Sequence, residues 1–491
     1  MPLQSVYPQQ AAAQFFELGN TLSSKQEFER AAAAYTSAIE CGAEDPRCYF
    51  NLGVVRTIQK RVQEAERCYG AALRLRPDYP EAHNNLGILR QFAGDHSEAR
   101  RHYVKSFESP HGFPEARYNY ASLLQQCGFL AEACEEYRAF LKQKPRHASA
   151  HNNFGNTLLG LGRPVEALTH FQQALALDPT APEVPFNRGV AHLTLGHFKE
   201  GWRDYESRFH QPGRPGRRTP GKEWRSQPVK GKRVLIYAEQ GLGDTLQFIR
   251  FAQQIRQRGA QVIVECQAPL VKLLSRIPAI EAVAKNSQTP PVDLQLALLS
   301  APQRLGTNLA NLPSTPYLTA EPSLSEEWRG HLARIAGAAS PRVGLCWTGN
   351  PRHMNDRNRS MASSHFNSLR EIPGLASFNL CPDAPGWPDL NLRPLLRPLV
   401  DFEETAALIA NLDVVITVDT AVAHLAGAMG KPVWILLPYA SDWRWLTGRN
   451  DSPWYPSAKL FRQRAPGDWH EVMDRVRQQL SSQGLSPAMV N

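Results

Sequence analysis

The sequence contains no long apolar run and no recognisable leader. None of its uninterrupted apolar stretches approaches the roughly 18 residues that a membrane-spanning helix needs. A basic start followed by an apolar stretch, typical of secretory signals, is missing from the N-terminal segment MPLQSVYPQQAAAQFFELG. The hydrophobic fraction of 42% and the charged fraction of 21% are typical of soluble globular proteins. We therefore expect a cytoplasmic protein without a membrane span.

Clustered metal ligands and closely spaced cysteine pairs are also lacking. The eight cysteines are scattered, with no C-x-x-C pair and no histidine cluster beside them. Because disulfide scaffolds and zinc modules need such clusters, the sequence favours a reducing compartment. We expect no bound metal ion and no cofactor.

The net charge of +9 is small for a chain of 491 residues. The positive charge is concentrated in residues 208–234, a segment that is rich in proline and glycine. Such a segment can attract the phosphates of nucleic acids or membranes. Its aromatic residues, however, do not alternate with the charges as stacking on bases requires. We interpret residues 211–231 as a solvated basic linker and expect no nucleic-acid partner.

A 34-residue repeat fills the first part of the chain. One column of the repeat holds small residues, a second column twelve residues later is again small, and an aromatic column follows four residues after that. The three columns are Gly19, Gly53, Gly87, Ala121, Gly155 and Gly189; Ala31, Ala65, Ala99, Ala133, Ala167 and Gly201; and Tyr35, Tyr69, Tyr103, Tyr137, Phe171 and Tyr205. This pattern resembles the tetratricopeptide repeat. It predicts an α-solenoid of six two-helix repeats over residues 12–210, in which the aromatic side chain fills the gap to the next repeat around a concave groove.

A column of asparagines lies two positions before the first small column. Its members are Asn51, Asn85, Asn119, Asn153 and Asn187, and Glu17 takes the place in the first repeat. An asparagine amide can pair with both the N–H and the C=O of an extended peptide. The same amides can instead join neighbouring repeats. The column resembles the asparagine ladder of the O-GlcNAc transferase repeats, which holds protein substrate, and this resemblance implies peptide binding in the groove.

The second half of the chain alternates short apolar strands with amphipathic helices. This order predicts an α/β region with parallel sheets covered on both faces. In such sheets, ligands bind beyond the carboxyl ends of the strands. The predicted strands are RVLIYAE, AQVIVECQ, RVGLCWTGN, FNLC, DVVITVDT and PVWILLP.

Two turns from strand to helix carry candidate site residues. In EQGLGDTLQ, Gly241 and Gly243 allow a tight turn or a close approach to a ligand, and Asp244 follows them. Asp244 is either a helix N-cap supported by Gln247 or a general base that takes a proton from an acceptor hydroxyl. The local sequence favours the capping role.

The second turn begins at Asp419 and Thr420. Free N–H groups at the start of the following helix can bind an anion, and small residues such as Ala421 let a large ligand approach. His424 lies one turn further along the helix. Ordinary packing of a thin helix on a sheet, with a buried histidine, explains the same residues, and the sequence alone does not separate the two interpretations.

The pattern D-T-x-x-x-H-L-A-x-A-x-G-x-P over residues 419–432 resembles the donor-site motif of the heptosyltransferase-like glycosyltransferases, family 9. The resemblance implies a GT-B fold, with a short first lobe at residues 232–322 on the acceptor side. A second lobe at residues 323–491 would bind the nucleotide-sugar and end in a helix. It also implies that Asp244 is the catalytic base and that Arg359, with Asn350 nearby, contacts the donor diphosphate. Gly241, Gly243, Asp419, Thr420, Ala421 and His424 would complete the donor site.

The combination of repeats and catalytic region resembles bacterial tetratricopeptide glycosyltransferases, some of which glycosylate flagellin. It implies a metal-independent enzyme that moves a sugar from a nucleotide-sugar co-substrate to a hydroxyl of a protein held in the repeat groove. Two alternatives stay open: a glycan or lipopolysaccharide transferase that uses the repeats for docking, and a non-catalytic scaffold. The aromatic residues Trp443, Trp445, Trp454 and Tyr455 either line the donor pocket or pack the C-terminal helix over the cleft.

Overall fold

The computed structural model describes residues 8–109, 112–211, 221–287, 290–336, 341–353, 355–381, 392–395 and 397–482. The chain divides into two compact units. The first, here the repeat unit, comprises Met1–Leu161 and Thr169–Thr180. The second, here the catalytic-region unit, comprises Gly162–Leu168 and Ala181–Asn491.

The first half of the chain consists of helices that pack in consecutive pairs, as the repeat predicts. Several of them begin at a proline, whose fixed φ suits the first helical turn. The helices are α1 Pro8–Ser24, α2 Phe28–Glu40, α3 Pro46–Ile58, α4 Val62–Leu75, α5 Pro80–Phe92, α6 His96–Glu108, α7 Pro114–Cys127, α8 Leu130–Gln143, α9 Ala148–Gly160, α10 Pro164–Leu177, α11 Val184–Thr194 and α12 Phe198–Tyr205.

The glycine column allows the two helices of a repeat to approach closely. A methyl group added at Gly53 would lie 2.6 Å from the ring of Tyr69, and one at Gly87 would lie 2.6 Å from the ring of Tyr103. In four repeats, at Gly19, Gly53, Gly87 and Gly155, the aromatic ring therefore packs on the glycine of its own repeat. The sequence interpretation had placed the ring only in the gap to the next repeat. Any larger residue at these four glycines would displace a fully buried ring.

The α/β region contains two parallel five-stranded sheets, each of which forms one lobe. The first sheet has the order β1-β5-β2-β3-β4 and the second has the order β10-β9-β8-β6-β7. The strands are β1 Lys222–Glu223, β2 Arg233–Tyr237, β3 Gln261–Cys266, β4 Ile280–Ala284, β5 Leu294–Ala297, β6 Arg342–Cys346, β7 Ala376–Asn379, β8 Val414–Val418, β9 Val433–Leu437 and β10 Ala458–Arg462. The predicted fold class, a repeat solenoid followed by an α/β region with two sheets, is confirmed.

Nine further helices cover the two sheets in the described part of the α/β region. They are α13 Leu242–Phe248, α14 Arg250–Gln257, α15 Val271–Ser275, α16 Ala301–Leu305, α17 Pro322–Ala336, α18 Asp356–Arg359, α19 Phe402–Ala410, α20 Ala421–Ala428 and α21 Trp469–Ser482. Helix α21 packs in a core on one face of the second sheet. A larger core joins the other face to the first lobe and to the last repeat.

The segment that we interpreted as a linker, residues 211–231, contains ordered structure in its second part. Strand β1 pairs with β5 at the edge of the first sheet, and the Trp224 side chain is fully buried. The indole N–H of Trp224 donates a hydrogen bond to the Gln227 carbonyl at 2.8 Å. Burial of this large aromatic ring ties the segment to the first lobe. Residues 212–220 lie outside the described residues.

No helix within the described ranges is both long enough and apolar enough to cross a bilayer.

Candidate active site

The two turns that the sequence singled out meet in the catalytic-region unit. Gly243 lies near the start of α13 in the first lobe, and His424 lies in α20 of the second lobe. A methyl group at Gly243 would lie only 2.8 Å from His424 Cδ2 and 3.6 Å from Ala421 Cα. The absence of a side chain at Gly243 therefore lets the two helices touch. Residues from both lobes converge on one place, as a substrate cleft requires.

Asp244 lies at the third position of α13 and is not its N-cap. Gly241 is the N-cap, and its N–H donates to Asp244 Oδ2 at 2.9 Å. The predicted capping role is thus correct in kind but wrong in position, because the helix begins at Leu242, two residues before Asp244, and Gly241 is the N-cap. The other carboxylate oxygen accepts a hydrogen bond from Arg444. The side chain is 19% exposed, so a substrate hydroxyl can still reach it.

Arg444 is the site residue that the sequence analysis missed. It follows β9 in the second lobe, and its side chain crosses to α13 in the first lobe. Its Nε donates to Gln247 Oε1 at 2.8 Å, and its Nη1 donates to Asp442 Oδ1 at 2.8 Å. Burial would lower the pKa of Arg444, but the charges of Asp442 and Asp244 raise it above its usual value. The guanidinium therefore stays charged.

The start of α20 combines polar groups with very little exposed surface. Thr420 is the N-cap, and its Oγ1 lies 3.1 Å from Thr417 Oγ1. Asp419 is 8% exposed, and its carbonyl accepts a hydrogen bond from Arg359 Nη1 at 3.1 Å. Burial, together with the nearby charge of Asp442, raises the pKa of the Asp419 carboxyl to about 6. The side chain can therefore change its charge near neutral pH.

His424 is a buried, neutral residue whose ring is held by a stacked tryptophan and by a tyrosine hydroxyl. Its Nδ1 lies 2.9 Å from the Tyr455 hydroxyl, and its ring stacks on Trp445 at a centroid distance of 5.3 Å. Its Nε2 lies 3.9 Å from Asp419 Oδ1. Burial, with the charges of three nearby arginines, lowers the pKa of His424 well below its usual value. In this state the histidine supports the start of α20 rather than adding a charge.

The turn after β6 brings Arg359 to the same end of α20. Arg359 also donates through Nε to Asp356 Oδ1 at 3.2 Å, so its guanidinium is oriented between a carboxylate and the α20 start. Asn350 lies at the beginning of this turn, where its Oδ1 accepts from the Arg352 N–H at 3.0 Å. Arg359 is therefore the predicted basic residue that the fold places beside Asp419, whereas Asn350 and Arg352 lie on the outer part of the turn.

A cavity of about 560 Å³ adjoins this turn and α20. Its lining is mostly apolar with a few polar groups, as is common for pockets that bind small molecules. The lining residues are Pro269, Thr348, Gly349, Pro351, Asp356, Leu380, Cys381, Leu399, Val400, Asp401, Phe402, Thr405 and Val422. Of these, Asp356 accepts the hydrogen bond from Arg359.

The four aromatic residues after β9 do not pack in the core of the C-terminal helix α21, and two of them contact His424, a predicted donor-site residue. Trp443 packs against Trp202 of the last repeat at a centroid distance of 5.3 Å, and Trp454 packs against Phe198 at 5.8 Å. Trp445 and Tyr455 hold His424, as described above. These residues therefore join the last repeat to the site and support its buried histidine.

The asparagine column of the repeat unit donates hydrogen bonds to neighbouring repeats. Asn51 Nδ2 donates to Asn20 Oδ1 at 2.9 Å, and Asn119 Nδ2 donates to Asn84 Oδ1 at 2.8 Å. Asn85 and Asn153 donate to tyrosine hydroxyls. All four side chains remain partly exposed, and so does Asn187 in the catalytic-region unit. Peptide binding by this column stays a prediction.

Among the described residues, no three histidine, cysteine, aspartate or glutamate side chains gather closely enough to hold a metal ion.

The close contact at Gly243 predicts that a side chain at this position destabilises the folded protein. We expect Gly243→Ala to lower the free energy of unfolding by about 1–3 kcal/mol, because the added methyl overpacks against the His424 ring. Gly330→Ala in α17 is the matched control, since nothing lies within 4 Å of the added methyl there. Alanine should raise stability at that site by up to about 1 kcal/mol. Urea unfolding of both variants measures this, and equal effects would contradict the contact.

The raised pKa of Asp419 makes stability depend on pH. Its folded pKa of about 6 lies above the ordinary value of 3.8, so its contribution is fully present below about pH 4 and is lost as the pH rises through 6. At pH 7.5 the loss amounts to at most about 3 kcal/mol. We therefore expect Asp419→Asn to be more stable than wild type at pH 7.5, with a difference that shrinks towards pH 4.5. Melting temperatures across this range measure it, and a difference independent of pH would be evidence against it.

Comparison with known proteins identifies the two parts of the chain. Residues 45–109, 118–182 and 152–201 match the tetratricopeptide repeat, and residues 391–467 match glycosyltransferase family 9 (heptosyltransferase). Protein FlbA of Caulobacter vibrioides is 28% identical over 335 residues, which cover 61% of this chain and 55% of FlbA. The chain thus spans about half the length of the curated relative it matches.

Two solved structures resemble part of the chain. YrrB, described as a TPR protein with an unusual peptide-binding site, is 26% identical with a TM-score of 0.31, over 35% of this chain and 89% of that chain. The pilF protein of Pseudomonas aeruginosa is 16% identical with a TM-score of 0.38, over 42% of this chain and 94% of that chain. By its family matches, the chain joins tetratricopeptide repeats to a glycosyltransferase family 9 segment that includes the start of α20.

Proposed function

We propose that the protein is a metal-independent glycosyltransferase that moves a sugar from a nucleotide-sugar to a hydroxyl group of a protein. One observation carries the proposal: Asp244 of the first lobe and the α20 start of the second lobe lie on two helices in direct contact, through Gly243 and His424. Group transfer between two substrates needs the base and the donor site in one cleft. The two turns are 176 residues apart, from Asp244 to Thr420, yet the fold brings them together.

The chemistry of the second lobe suits a nucleoside diphosphate. The mostly apolar cavity of about 560 Å³ is large enough for a nucleoside, and its lining includes Val422 of α20 and Asp356, which binds Arg359. Free N–H groups at a helix start and a guanidinium both stabilise phosphate oxygens. Charge that develops on the departing diphosphate would thus be stabilised by fixed dipoles and Arg359. Asp419 would have to be protonated beside this anion, and its raised pKa makes that protonation accessible.

Asp244 is the proposed base for the acceptor hydroxyl. It is partly exposed, whereas Asp419 beside the α20 start is nearly buried. The hydroxyl oxygen attacks the sugar carbon and forms the new glycosidic bond. A carboxylate within hydrogen-bond reach of the hydroxyl takes up its proton in the same step. The nucleoside diphosphate leaves with the bonding electrons. No step in this scheme needs a further reactant.

The repeats support a protein as the acceptor. Tetratricopeptide repeats form grooves that bind peptides, and the asparagine column leaves partly exposed amides along the repeat unit. Hydrogen bonds to neighbouring repeats already fix the orientation of these amides. Their unused donors and acceptors can therefore bind a peptide backbone without a further loss of side-chain entropy. A flagellin-like protein is the acceptor that the sequence resemblance implies.

Thermal shift with UDP-, GDP-, ADP- and CMP-linked sugars tests the donor site. A ligand that binds only the folded protein raises its melting temperature. We expect a rise with one nucleotide class that is lost in Arg359→Gln. Arg464→Gln is the matched control, an exposed arginine of the same lobe that pairs with Glu471 of α21. If none of the donors raises the melting temperature, the result would contradict the proposed transferase and favour a non-catalytic scaffold.

Labelled donor sugar then identifies the acceptor class. The protein is incubated with the labelled donor and with an extract of the cells from which the gene comes. Label that becomes soluble after protease treatment supports a protein acceptor. Label that enters an organic-solvent extract instead would favour the glycan or lipopolysaccharide transferase and contradict the protein acceptor.

A further inference from the structure

Arg444 joins elements of both lobes at the point where their candidate site residues meet. It belongs to the 3-10 turn Trp443–Trp445, between β9 and β10 of the second lobe. Its guanidinium reaches two side chains of α13 in the first lobe, Asp244 and Gln247. Only 9% of its side chain is exposed, so these contacts are shielded from water. A buried, charged side chain of the second lobe thus pairs with a carboxylate of the first lobe.

The contacts of Arg444 fix the plane of its guanidinium. Nη2 binds Asp244, Nε binds Gln247, and Nη1 binds Asp442, so donors on three nitrogens are directed at three different residues. The flat group also lies 4.3 Å over the Trp443 ring, which restricts rotation about its last bonds. A group held in this way can in turn hold the Asp244 carboxylate in one orientation.

The same turn also supports the helix on the donor side. Trp445, the residue after Arg444, stacks on His424 of α20 with an angle of 15° between the rings. One short turn therefore touches the proposed base through Arg444 and the donor helix through Trp445. Its two side chains set how far Asp244 lies from the start of α20.

We propose that Arg444 is the positioning residue for Asp244, whose carboxylate it holds opposite the donor site. This inference rests on the proposed function, in which Asp244 is the base. Arginine suits the task because its planar fork can serve Asp244, Gln247 and Asp442 at once. A lysine ammonium is a compact charge on a flexible stem and cannot reproduce that plane. Lysine at this position should preserve the charge but lose the alignment.

Kinetics of Arg444→Lys test the proposal. We expect kcat to fall at least about 30-fold, because misplaced catalytic groups lose effective molarity. Donor Kd and acceptor KM should stay within about threefold of wild type, because the variant leaves Arg359, α20 and the repeats unchanged. Arg475→Lys is the matched control. Arg475 donates two hydrogen bonds of 2.7 Å to the Glu471 carboxylate within α21, and we expect its variant to change no kinetic constant.

A second pair of variants separates positioning from general destabilisation. If Arg444 acts through Asp244, the double variant Asp244→Asn with Arg444→Lys should be no slower than Asp244→Asn alone. If Arg444→Lys does not fold, Gln247→Met serves as the second variant, because it removes one hydrogen-bond partner of the guanidinium without changing the charge. We expect Gln247→Met to lower kcat about 3- to 10-fold and to leave donor Kd and acceptor KM unchanged. Multiplicative losses in the double variant, or a donor Kd weakened as much as kcat, would overturn the proposal.

The outcomes for this role and for the proposed function can be told apart. A wild-type chain that transfers no sugar would overturn the function and the role together. A wild-type chain that transfers sugar, with Arg444→Lys as active as Arg475→Lys, would overturn the role of Arg444 alone.

Discussion

Asp244→Asn should lower the rate of sugar transfer by about 10²- to 10⁴-fold, the usual contribution of a general base. Asparagine has nearly the same shape and can still accept the Gly241 N–H through its amide oxygen, so the start of α13 should keep its form. It cannot take a proton from the acceptor. Single-turnover transfer with saturating donor measures the effect on chemistry directly.

Two further measurements decide what an observed loss means. Donor Kd should stay within about threefold of wild type, because Asp244 lies on the lobe opposite the proposed diphosphate site. Asp451→Asn is the control, since Asp451 forms an exposed ion pair with Arg449. A variant Asp244→Asn that keeps more than a tenth of the rate would remove Asp244 as the base. Equal losses of donor affinity and rate would instead assign Asp244 to the shape of the cleft.

Features with strong local patterns were readable from the sequence. The glycine and aromatic columns repeat every 34 residues because most repeats make the same close helix contact, and the structure shows it at Gly53 and Tyr69. Strands such as β8 and β9 are nearly continuous apolar runs, interrupted only by Thr417, because they are buried on both faces. In both cases a single physical requirement acts on neighbouring residues, so it leaves a pattern in the sequence.

Weakly patterned elements were not readable. The strands β1, β5 and β10 read KE, LQLA and AKLFR, which are short, and two of them carry charged residues. They form because a neighbouring strand offers unpaired backbone groups, which is a tertiary effect. The same holds for Trp224, whose burial turns part of a proline- and glycine-rich segment into structure.

The candidate site was readable in part. Asp244, Asp419 and His424 stand next to glycines and small residues that mark turns between strands and helices. Arg444 carries no such signal, because its partner Asp244 is 200 residues away in the sequence. Whether His424 faces a ligand or packs in the interior also depends on Trp445 and Tyr455, which come from a later segment. Long-range partners decide orientation, and one sequence does not reveal them.

The position of the last repeat leads to a prediction about fragments. The sequence pattern places the end of the solenoid near residue 210, whereas residues from Ala181 onward form one compact unit with the two lobes. Trp202 of α12 is buried against Trp443 and Phe248, and Arg208 is buried in an ion pair with Glu239 at 3.0 Å. The last repeat is thus part of the core of the catalytic-region unit.

We expect a fragment of residues 162–491 to fold cooperatively and a fragment of residues 211–491 not to fold. The shorter fragment lacks Trp202, whose loss from a core costs about 3–5 kcal/mol. It also leaves Glu239 buried without Arg208, at a cost of about 3–5 kcal/mol. Together these losses approach the whole stability of an ordinary domain, about 5–15 kcal/mol. Circular dichroism during heating compares the two fragments.

Donor binding and transfer in the longer fragment separate the roles of the two units. If the repeats only recruit the acceptor, residues 162–491 should bind the nucleotide-sugar with a Kd within about threefold of the full chain. Transfer to the protein acceptor should fall to a small fraction, because four repeats of the groove and the first helix of the fifth repeat are missing. A fragment of residues 211–491 that melts cooperatively at the temperature of the longer one would show that the last repeat is dispensable. A longer fragment that still glycosylates the acceptor at the full rate would show that the groove does not select it.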